Sequence, residues 1–129
     1  MNRNFSSRLA RYGLASAAVA ALAVPAAVLG TAAPASAAAA CGTTGPNLDP
    51  SALVRQTAGV SANMRTGSTT ACPYNNHYAN NQDVLNYYCY TVNAAGATWT
   101  YLYNVTDQTY GWVSDSLLPN NGSNYYCGF

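Results

Sequence analysis

The sequence predicts an all-β fold: a small barrel or sandwich of about five short strands, with a short N-terminal helix and two disulfides. Three observations predict it. β-branched and aromatic residues alternate with polar ones over short runs, turns rich in asparagine and glycine separate those runs, and all four cysteines follow an export signal. We expect residues 38–59 to form an N-terminal segment that holds the helix, and residues 60–129 to form the barrel with a disulfide-tied tail.

Residues 1–37 are interpreted as a signal peptide. Arg3, Arg8 and Arg11 precede an apolar run that extends to Gly30, and the small residues of "APASAAAA" follow it. A basic start, an apolar middle and a small-residue cleavage site are typical of secretory signals. We place cleavage after Ala37; Ala39 and Ala40 are chemically similar alternatives. The protein is therefore expected to be secreted and extracellular.

Two membrane-bound alternatives are disfavoured. Pro25 interrupts the apolar run and no basic stop-transfer flank follows, which argues against a membrane anchor. A lipoprotein attached through Cys41 would lack the leucine expected three residues earlier and would leave three cysteines unpaired. After cleavage we expect no membrane association.

The charge of the exported chain excludes several functions. Two arginines minus four aspartates leave a net charge of −2, and the +1 of the full chain comes from the signal. Nucleic acid is a poor partner because no basic patch can neutralise phosphates. There is no glutamate or lysine, and His77 is the single histidine, so general acids and bases are scarce. The aspartates suit turns better than a glycosidase carboxylate pair. We expect no catalytic residues, no metal, no cofactor and a monomer.

The helix is predicted over "LDPSALVRQTAG". Asp49 would be its N-cap, Pro50 would occupy its first turn, and Gly59 would end it.

Four strands are predicted after the helix, each from a run in which apolar and polar residues alternate. "VSANMRTG" places Val60, Ala62 and Met64 on one face. "DVLNYYCYTV" places Leu85 and Tyr87 on the face of Cys89 if that cysteine points inward. "ATWTYLYNV" and "YGWV" complete the set, and the alternation leaves open which face of the third strand is buried. Tyr87 and Trp112 are expected in the core.

The cysteines are paired by a hairpin argument. In "CPYNNHYANNQDVLNYYC", a turn at Asn80 and Asn81 would place Cys72 directly opposite Cys89, at a distance that a disulfide accepts. Cys41 would then pair with Cys127 and tie the two ends of the exported chain together. No C-x-x-C spacing occurs, so metal ligation is disfavoured.

The order of these segments resembles bacterial SH3-like (SH3b) domains. "NMRTGS", Asn63 to Ser68, is similar to their opening N-V-R-S-G, and "GWVSDSLL" is similar to their closing G-W-V-S strand. "YYCYT" and "TWTYLYNV" lie between them, and the resemblance covers residues 61–118. Ser68 stands where the family commonly has proline, and the disulfide-bearing hairpin is not universal there. The resemblance implies that Trp112 and Val113 cap a barrel whose end Leu117 and Leu118 plug. It also implies binding to cell-wall peptides or glycans without catalysis.

The aromatic content supports a binding surface. Ten of the chain's 11 tyrosines and both tryptophans follow the signal, against one phenylalanine. Such side chains combine an apolar ring with a polar group, as recognition surfaces do. A small core that uses tyrosine as filler is the alternative explanation. The candidate ligand-binding residues are Tyr88, Tyr90, Trp99, Tyr101 and Tyr103, and the expected partner is cell-wall peptide or glycan.

The alternative function is a secreted protein-protein interaction module such as a protease inhibitor. Small disulfide-tied domains often present a rigid loop, and "TTACPYNNHY" beside Cys72 could be one.

Overall fold

A computed structural model describes residues 38–129; the signal-peptide prediction concerns residues 1–37 and lies outside them. The described chain is all-β with two disulfides. In this part of the chain, no helix is long and apolar enough to cross a membrane. The strands are β1 (Val54–Arg55), β2 (Ala62–Arg65), β3 (Tyr74–Ala79), β4 (Val84–Val92), β5 (Thr98–Asn104) and β6 (Thr109–Ser114). Two 3₁₀ turns follow, Asp115–Leu117 and Pro119–Asn121.

The six strands form one antiparallel sheet in the order β1-β4-β5-β6-β2-β3. Strands β4, β5 and β6 pair as consecutive hairpins, whereas β2 pairs with β6 across a long stretch of sequence. This order places β4, β5, β6 and β2 inside the sheet, with β1 and β3 at its edges.

The strand predictions are confirmed in position and largely in burial. Ala62 and Met64 are fully buried in β2, as are Trp112 and Val113 in β6, and Tyr87 is buried in β4. Both faces of β5 are buried, because side chains pack on each side of it.

The buried side chains form two separate cores. The first is an aliphatic core built on Ala62, Met64, Ala79, Leu85, Tyr87, Leu102, Val113 and Leu118. The other is an aromatic core of Ala39, Cys89, Trp99, Tyr101, Trp112 and Cys127.

A β-bulge in β4 changes which face its side chains occupy. Tyr87 lies opposite Leu102, but Cys89 lies opposite Tyr101, so two steps along β4 match one step along β5. Tyr87 therefore joins the aliphatic core and Cys89 the aromatic core. The expectation that Cys89 shares a face with Leu85 and Tyr87 is wrong, because it assumed an unbroken alternation.

The predicted N-terminal helix is wrong. Residues 49–59 contain the short strand β1, which pairs with β4, and no helical turn. The Asp49 carboxylate accepts a hydrogen bond from the Ser51 amide at 2.9 Å, so it closes a local turn. The Gln56 amide donates to the carbonyl of Asp83 at 2.8 Å, a bond that a helix would not allow. Pairing with β4 outweighs the weak local helix propensity.

Both predicted disulfides are wrong: Cys41 pairs with Cys72, and Cys89 pairs with Cys127. A turn does occur at residues 80–83, where the Asp83 amide donates to Asn80 at 2.8 Å. The turn does not make a hairpin, however, because β3 pairs with β2 while β4 pairs with β5 and β1. Cys72 and Cys89 are consequently never opposed.

Two buried amide side chains close the space between the sheet edges. Gln56 is fully buried, and its Nε2 donates to the carbonyls of Ala79 at 3.1 Å and Leu117 at 3.2 Å. Asn104 Nδ2 donates to the carbonyl of Tyr78 at 3.0 Å. These bonds join the end of β3, which also pairs with β2, to Gln56 and to Asn104 at the end of β5. Leu118 is buried as expected, but Leu117 is 45% exposed because the 3₁₀ turn points it outward, so its predicted role as a plug is wrong.

Two buried aspartates accept hydrogen bonds from hydroxyl side chains, one in β5 and one near the C-terminus. Thr100 Oγ1 donates to Asp115 Oδ1 at 2.6 Å, and Ser123 Oγ donates to Asp49 Oδ2 at 2.6 Å. Burial raises the pKa of Asp115, and hydrogen bonds from Thr100 and Thr98 offset this only in part. Burial alone would raise the pKa of Asp49 as well, but hydrogen bonds from Ser123 and Ser51 outweigh it and lower that pKa.

Candidate functional site

One face of the inner strands carries most of the aromatic side chains, and we call it the aromatic face. Its cross-strand pairs between β5 and β6 are Trp99 with Ser114, Tyr101 with Trp112, and Tyr103 with Tyr110. Arg65 of β2 lies opposite Trp112, and Asn63 shares the side of Arg65 because residues two apart in a strand point the same way. The aliphatic core packs on the opposite face, whereas Trp99, Tyr101 and Trp112 of the aromatic face are buried in the aromatic core.

Four tyrosine rings form a contiguous group on this face, the tyrosine cluster: Tyr88, Tyr101, Tyr103 and Tyr110. The rings of Tyr101 and Tyr110 are stacked, with centroids 6.0 Å apart. Tyr103 approaches Tyr110 to 4.5 Å, and Tyr88 makes edge contacts with Tyr101 and Tyr110 at 5.9 and 5.7 Å. Tyr110 is 46% exposed, so the cluster opens to solvent through this ring.

The hydroxyl groups of the cluster interact as well. Tyr88 donates to the hydroxyl of Tyr110 at 3.4 Å. This hydrogen bond, with burial and the neighbouring tyrosines, raises the pKa of Tyr88 to about 12. Burial, together with Tyr110, also raises the pKa of Tyr101. Both shifts keep the hydroxyls of Tyr88 and Tyr101 protonated in the physiological range, so these two groups can donate hydrogen bonds.

A cavity of about 160 Å³, the tyrosine cavity, lies beside the cluster. Its wall includes the N-terminal segment Gly42–Thr44, which the Trp112 Nε1 holds by donating to the carbonyl of Thr43 at 2.7 Å. Asn75 Nδ2 fixes another part of the wall by donating to the carbonyl of Tyr110 at 2.7 Å. The remaining lining residues are Arg65, Thr66, Tyr101 and Gly111.

The Cys41–Cys72 disulfide positions this N-terminal segment. The Gly42 amide donates to the carbonyl of Thr66 at 2.7 Å, directly beside the disulfide. At Gly67, a Cβ atom would lie 2.6 Å from the Cys72 sulfur and 2.8 Å from the Ala39 carbonyl oxygen. Glycine is therefore required there for the segment to approach β2.

A second cavity of about 280 Å³, the tryptophan cavity, lies on the same face around Trp99. Trp99 is only 5% exposed, and its Nε1 has no hydrogen-bond partner among residues 38–129. Arg65 lines this cavity as well as the tyrosine cavity. The other lining residues are Ser61, Asn63, Thr70, Ser114, Ser116 and Leu117.

The five sequence-predicted site residues do not all come together. Tyr88, Tyr101 and Tyr103 belong to the tyrosine cluster, and Trp99 lies further along the same face. Tyr90 is separate: past the bulge it lies opposite Thr100, and its ring packs with Tyr126 at 5.7 Å.

Sequence reasoning missed Tyr110, the most exposed ring of the cluster. The signal for it was available in the sequence, because Tyr110 is two residues from Trp112 and so occupies the same face of β6.

A third, polar cleft of about 440 Å³ lies at the far end of β3. There His77 Nδ1 is 2.5 Å from Asp107 Oδ2, with both side chains about two-fifths exposed. The carboxylate orients the imidazole and leaves Nε2 to accept or donate a proton. Asp83 also lines the cleft, but its carboxylate accepts hydrogen bonds from Asn80 and Asn104 at 2.8 Å. No group of three or more His, Cys, Asp or Glu within residues 38–129 is arranged to hold a metal ion.

Comparison with known proteins identifies no relative. No protein-family model matches the chain, and neither curated proteins nor solved structures give a significant match. The aromatic face is therefore interpreted from its own chemistry.

Proposed function

We propose that the protein is a secreted, non-catalytic module with an SH3-like barrel, and that it binds cell-wall glycan or peptide through the aromatic face. The observation that carries the proposal is the tyrosine cluster, which opens to solvent through Tyr110 beside a cavity lined by both aromatic and polar side chains. Flat rings with nearby amide and hydroxyl groups suit ligands that offer apolar faces and hydrogen-bonding edges.

The placement of the two resemblance motifs supports the SH3-like part of the proposal. "NMRTGS" contains the end of β2, and "GWVS" is the end of β6. Arg65 of the first motif and Trp112 of the second pair directly in the sheet. The motifs thus meet in space, which is what one small barrel closed by both segments requires.

Secretion is supported by chemistry as well as by the predicted signal peptide. The structure joins all four cysteines in two disulfides, and such bonds form and persist in oxidising compartments.

The test is sedimentation of the purified protein, from residue 38 onward, with purified bacterial cell-wall sacculi. We expect the protein to pellet with sacculi and to do so at low and high salt alike, because a chain of net charge −2 exchanges few ions with the wall. A protein that stays in the supernatant and inhibits a secreted protease instead would replace the proposal with the interaction-module alternative.

The same experiment tests the absence of catalysis. Soluble fragments in the supernatant are measured over time for the wild type and for His77→Ala, which removes the imidazole of the polar cleft. A release of fragments that depends on His77 would overturn the non-catalytic part of the proposal.

A further inference from the structure

The guanidinium group of Arg65 lies at the wall of the tryptophan cavity. Its Nη1 donates to the carbonyls of Cys72 at 2.9 Å and Thr70 at 3.2 Å. Thr70 lines the tryptophan cavity and not the tyrosine cavity, so these bonds hold the guanidinium group on the tryptophan side. Because the group is planar and rigid, two bonds at one nitrogen also restrict the directions of its other N–H groups.

The other edge of the guanidinium group is free and reaches solvent. Both hydrogen bonds that Arg65 makes within residues 38–129 come from Nη1, which leaves Nε and Nη2 without an acceptor there. The buried side-chain atoms that lack a partner in this range belong to Thr66 and Trp99, so the free N–H groups of Arg65 are accessible. Nε–H and one N–H of Nη2 are parallel, which is the geometry that binds both oxygens of a carboxylate.

Arg65 also has no negatively charged partner in the described chain. The one ion pair of residues 38–129 joins His77 to Asp107, and no residue that lines the tryptophan cavity is acidic. The exported chain has a net charge of −2, so this cavity is a local site of positive charge on a weakly acidic protein. The other polar lining residues can donate hydrogen bonds to an anion without competing for the guanidinium group: Ser61, Asn63, Thr70, Ser114 and Ser116.

The charge of the cavity favours a carboxylate over a phosphate. A phosphate monoester carries about −1.5 to −2 charges at neutral pH and is typically held by a cluster of basic groups. Arg65 is the single basic residue of the lining. A carboxylate carries one negative charge, and its two oxygens match the one free edge of the guanidinium group.

The apolar part of the lining favours a carboxylate on a peptide over one on a sugar. A sugar ring is held best when an aromatic ring presents its flat face. Trp99 is the aromatic residue of this lining, and at 5% exposure it offers no such face. Leu117 is 45% exposed at the rim, where it can contact an aliphatic side chain of a peptide.

We propose that the tryptophan cavity binds the free carboxylate at the end of a wall peptide, with Arg65 Nε and Nη2 donating to its two oxygens. The surrounding hydroxyls and the Asn63 amide bond the adjoining peptide group, and Leu117 contacts the side chain of the terminal residue. This inference rests on the proposed function, which supplies the wall peptide, and it names the chemical group that is recognised. A single partly buried charge pair is weakly screened, so retention on sacculi should still change little with salt.

Nuclear magnetic resonance of the arginine side chains tests the proposal on the protein from residue 38 onward. This chain contains two arginines, so the Nε–H signal of Arg55 is an internal reference for that of Arg65. The probes are peptides released from purified sacculi, used with free carboxyl groups and again after conversion of these groups to amides. We expect the free-carboxyl peptides to shift the Arg65 signal alone and to bind at least about tenfold more tightly than the amides.

Two substitutions alter the site in different ways. Arg65→Lys keeps the positive charge but removes the edge that makes two bonds, and Ser116→Asp adds a negative charge at the exposed rim. Each should weaken binding of the free-carboxyl peptides by about tenfold and leave binding of the amides unchanged. Ser116→Asp decides the matter alone if Arg65→Lys does not fold.

Two matched controls accompany these variants. Ser116→Asn makes a change of similar size at the rim without a charge, and Asn124→Asp adds the same charge at an exposed residue that lines neither cavity. Both should bind the free-carboxyl peptides like the wild type. A loss in Asn124→Asp equal to that in Ser116→Asp would show a general effect of net charge and would overturn the site.

The outcomes separate this inference from the function on which it rests. Equal binding of free-carboxyl and amide peptides, or a shift of the Arg55 signal alone, would overturn the carboxylate site and leave wall binding intact. Tighter binding of oligoglucuronate, a glycan that carries carboxylates, would overturn the peptide assignment. No retention on sacculi, together with no binding of either peptide form, would overturn both proposals.

Discussion

Tyr87 and Cys89 are two residues apart in β4, yet their side chains pack in different cores. The bulge between them places Tyr87 in the aliphatic core opposite Leu102 and Cys89 in the aromatic core opposite Tyr101. It also leaves Tyr88 beside Cys89 on the aromatic face, where its ring contacts Tyr101. One inserted residue thus allows β4 to serve both cores and to contribute to the tyrosine cluster.

The disulfide pairing is open to a direct test. Mass spectrometry of the non-reduced protein should recover peptides that join Cys41 to Cys72 and Cys89 to Cys127. The bridges close loops with sequence separations of 31 and 38, so the chain-entropy model gives each about 4 kcal/mol. Serine at both members of either pair should lower the free energy of unfolding by that order. A recovered Cys72–Cys89 peptide would contradict the β2–β3 pairing.

Gln56 should stabilise the folded state through its two buried side-chain hydrogen bonds. Gln56→Met leaves the carbonyls of Ala79 and Leu117 without their shared donor. We expect a loss of about 1–3 kcal/mol in the free energy of unfolding, measured by urea denaturation. Gln108→Met makes the same chemical change at an exposed position and should be nearly neutral. Equal effects of the two substitutions would refute the role assigned to Gln56.

Asp115 should make stability fall as pH rises. Its folded pKa is raised by burial, so the folded state holds the proton more tightly than the unfolded state. Stability is therefore highest when the carboxyl is protonated, and it falls as pH rises from the unfolded pKa through the folded pKa. Asp115→Asn keeps an oxygen that can accept the hydrogen bond of Thr100 and removes this dependence.

Calorimetry between about pH 3 and about pH 7 measures the difference in Tm between Asp115→Asn and the wild type. The Tm of Asp115→Asn should increase relative to that of the wild type as pH rises. Above the folded pKa of Asp115 the difference should stay constant. Asp49 has a lowered pKa, and its contribution is lost as pH falls through that folded pKa, but it acts equally in both proteins. A difference in Tm that does not change with pH would show that burial of the ionised Asp115 carboxylate does not destabilise the folded state.

The Tyr88 hydroxyl should ionise at a higher pH than the hydroxyl of an ordinary tyrosine. The hydrogen bond to Tyr110 holds the Tyr88 proton, and its pKa is raised to about 12. At about pH 11, carbon-13 NMR of the labelled tyrosines should show Tyr88 still neutral, whereas a tyrosine with the ordinary pKa of about 10 would be mostly ionised. Tyr110→Phe removes the acceptor and should lower the Tyr88 pKa. An unchanged Tyr88 titration in that variant would mean that the hydroxyl contact does not hold the proton.

Local pattern predicted the strands well and their partners badly. Alternation located β2, β4, β5 and β6 and the burial of Met64 and Trp112, because those depend on residues near in sequence. The pairing of β2 with β6 joins distant segments, and it decides where Cys72 lies. The turn signal at Asn80 and Asn81 is local, so it cannot show that β3 pairs with β2 rather than with β4.

The candidate site shows the same limit. The alternation along β5 predicts that Tyr101 and Tyr103 share one face, and the strand pairing confirms it. The bulge, which moves Tyr90 to the other side, leaves no clear mark in a run such as "NYYCYT". Trp99 is nearly buried because it belongs to the aromatic core together with residues far from it in sequence, such as Ala39 and Cys127.

The central claim is that the tyrosine cluster binds wall material, and a retention isotherm on sacculi for Tyr110→Ala tests it most directly. Tyr110 is 46% exposed, so its ring can be removed with little damage to the core. Tyr126→Ala is the matched control, because Tyr126 is equally exposed and packs with Tyr90, away from the cluster. We predict that Tyr110→Ala weakens binding by about 1–3 kcal/mol while Tyr126→Ala binds like the wild type. Wild-type retention by Tyr110→Ala, or equal losses in both folded variants, would contradict the account.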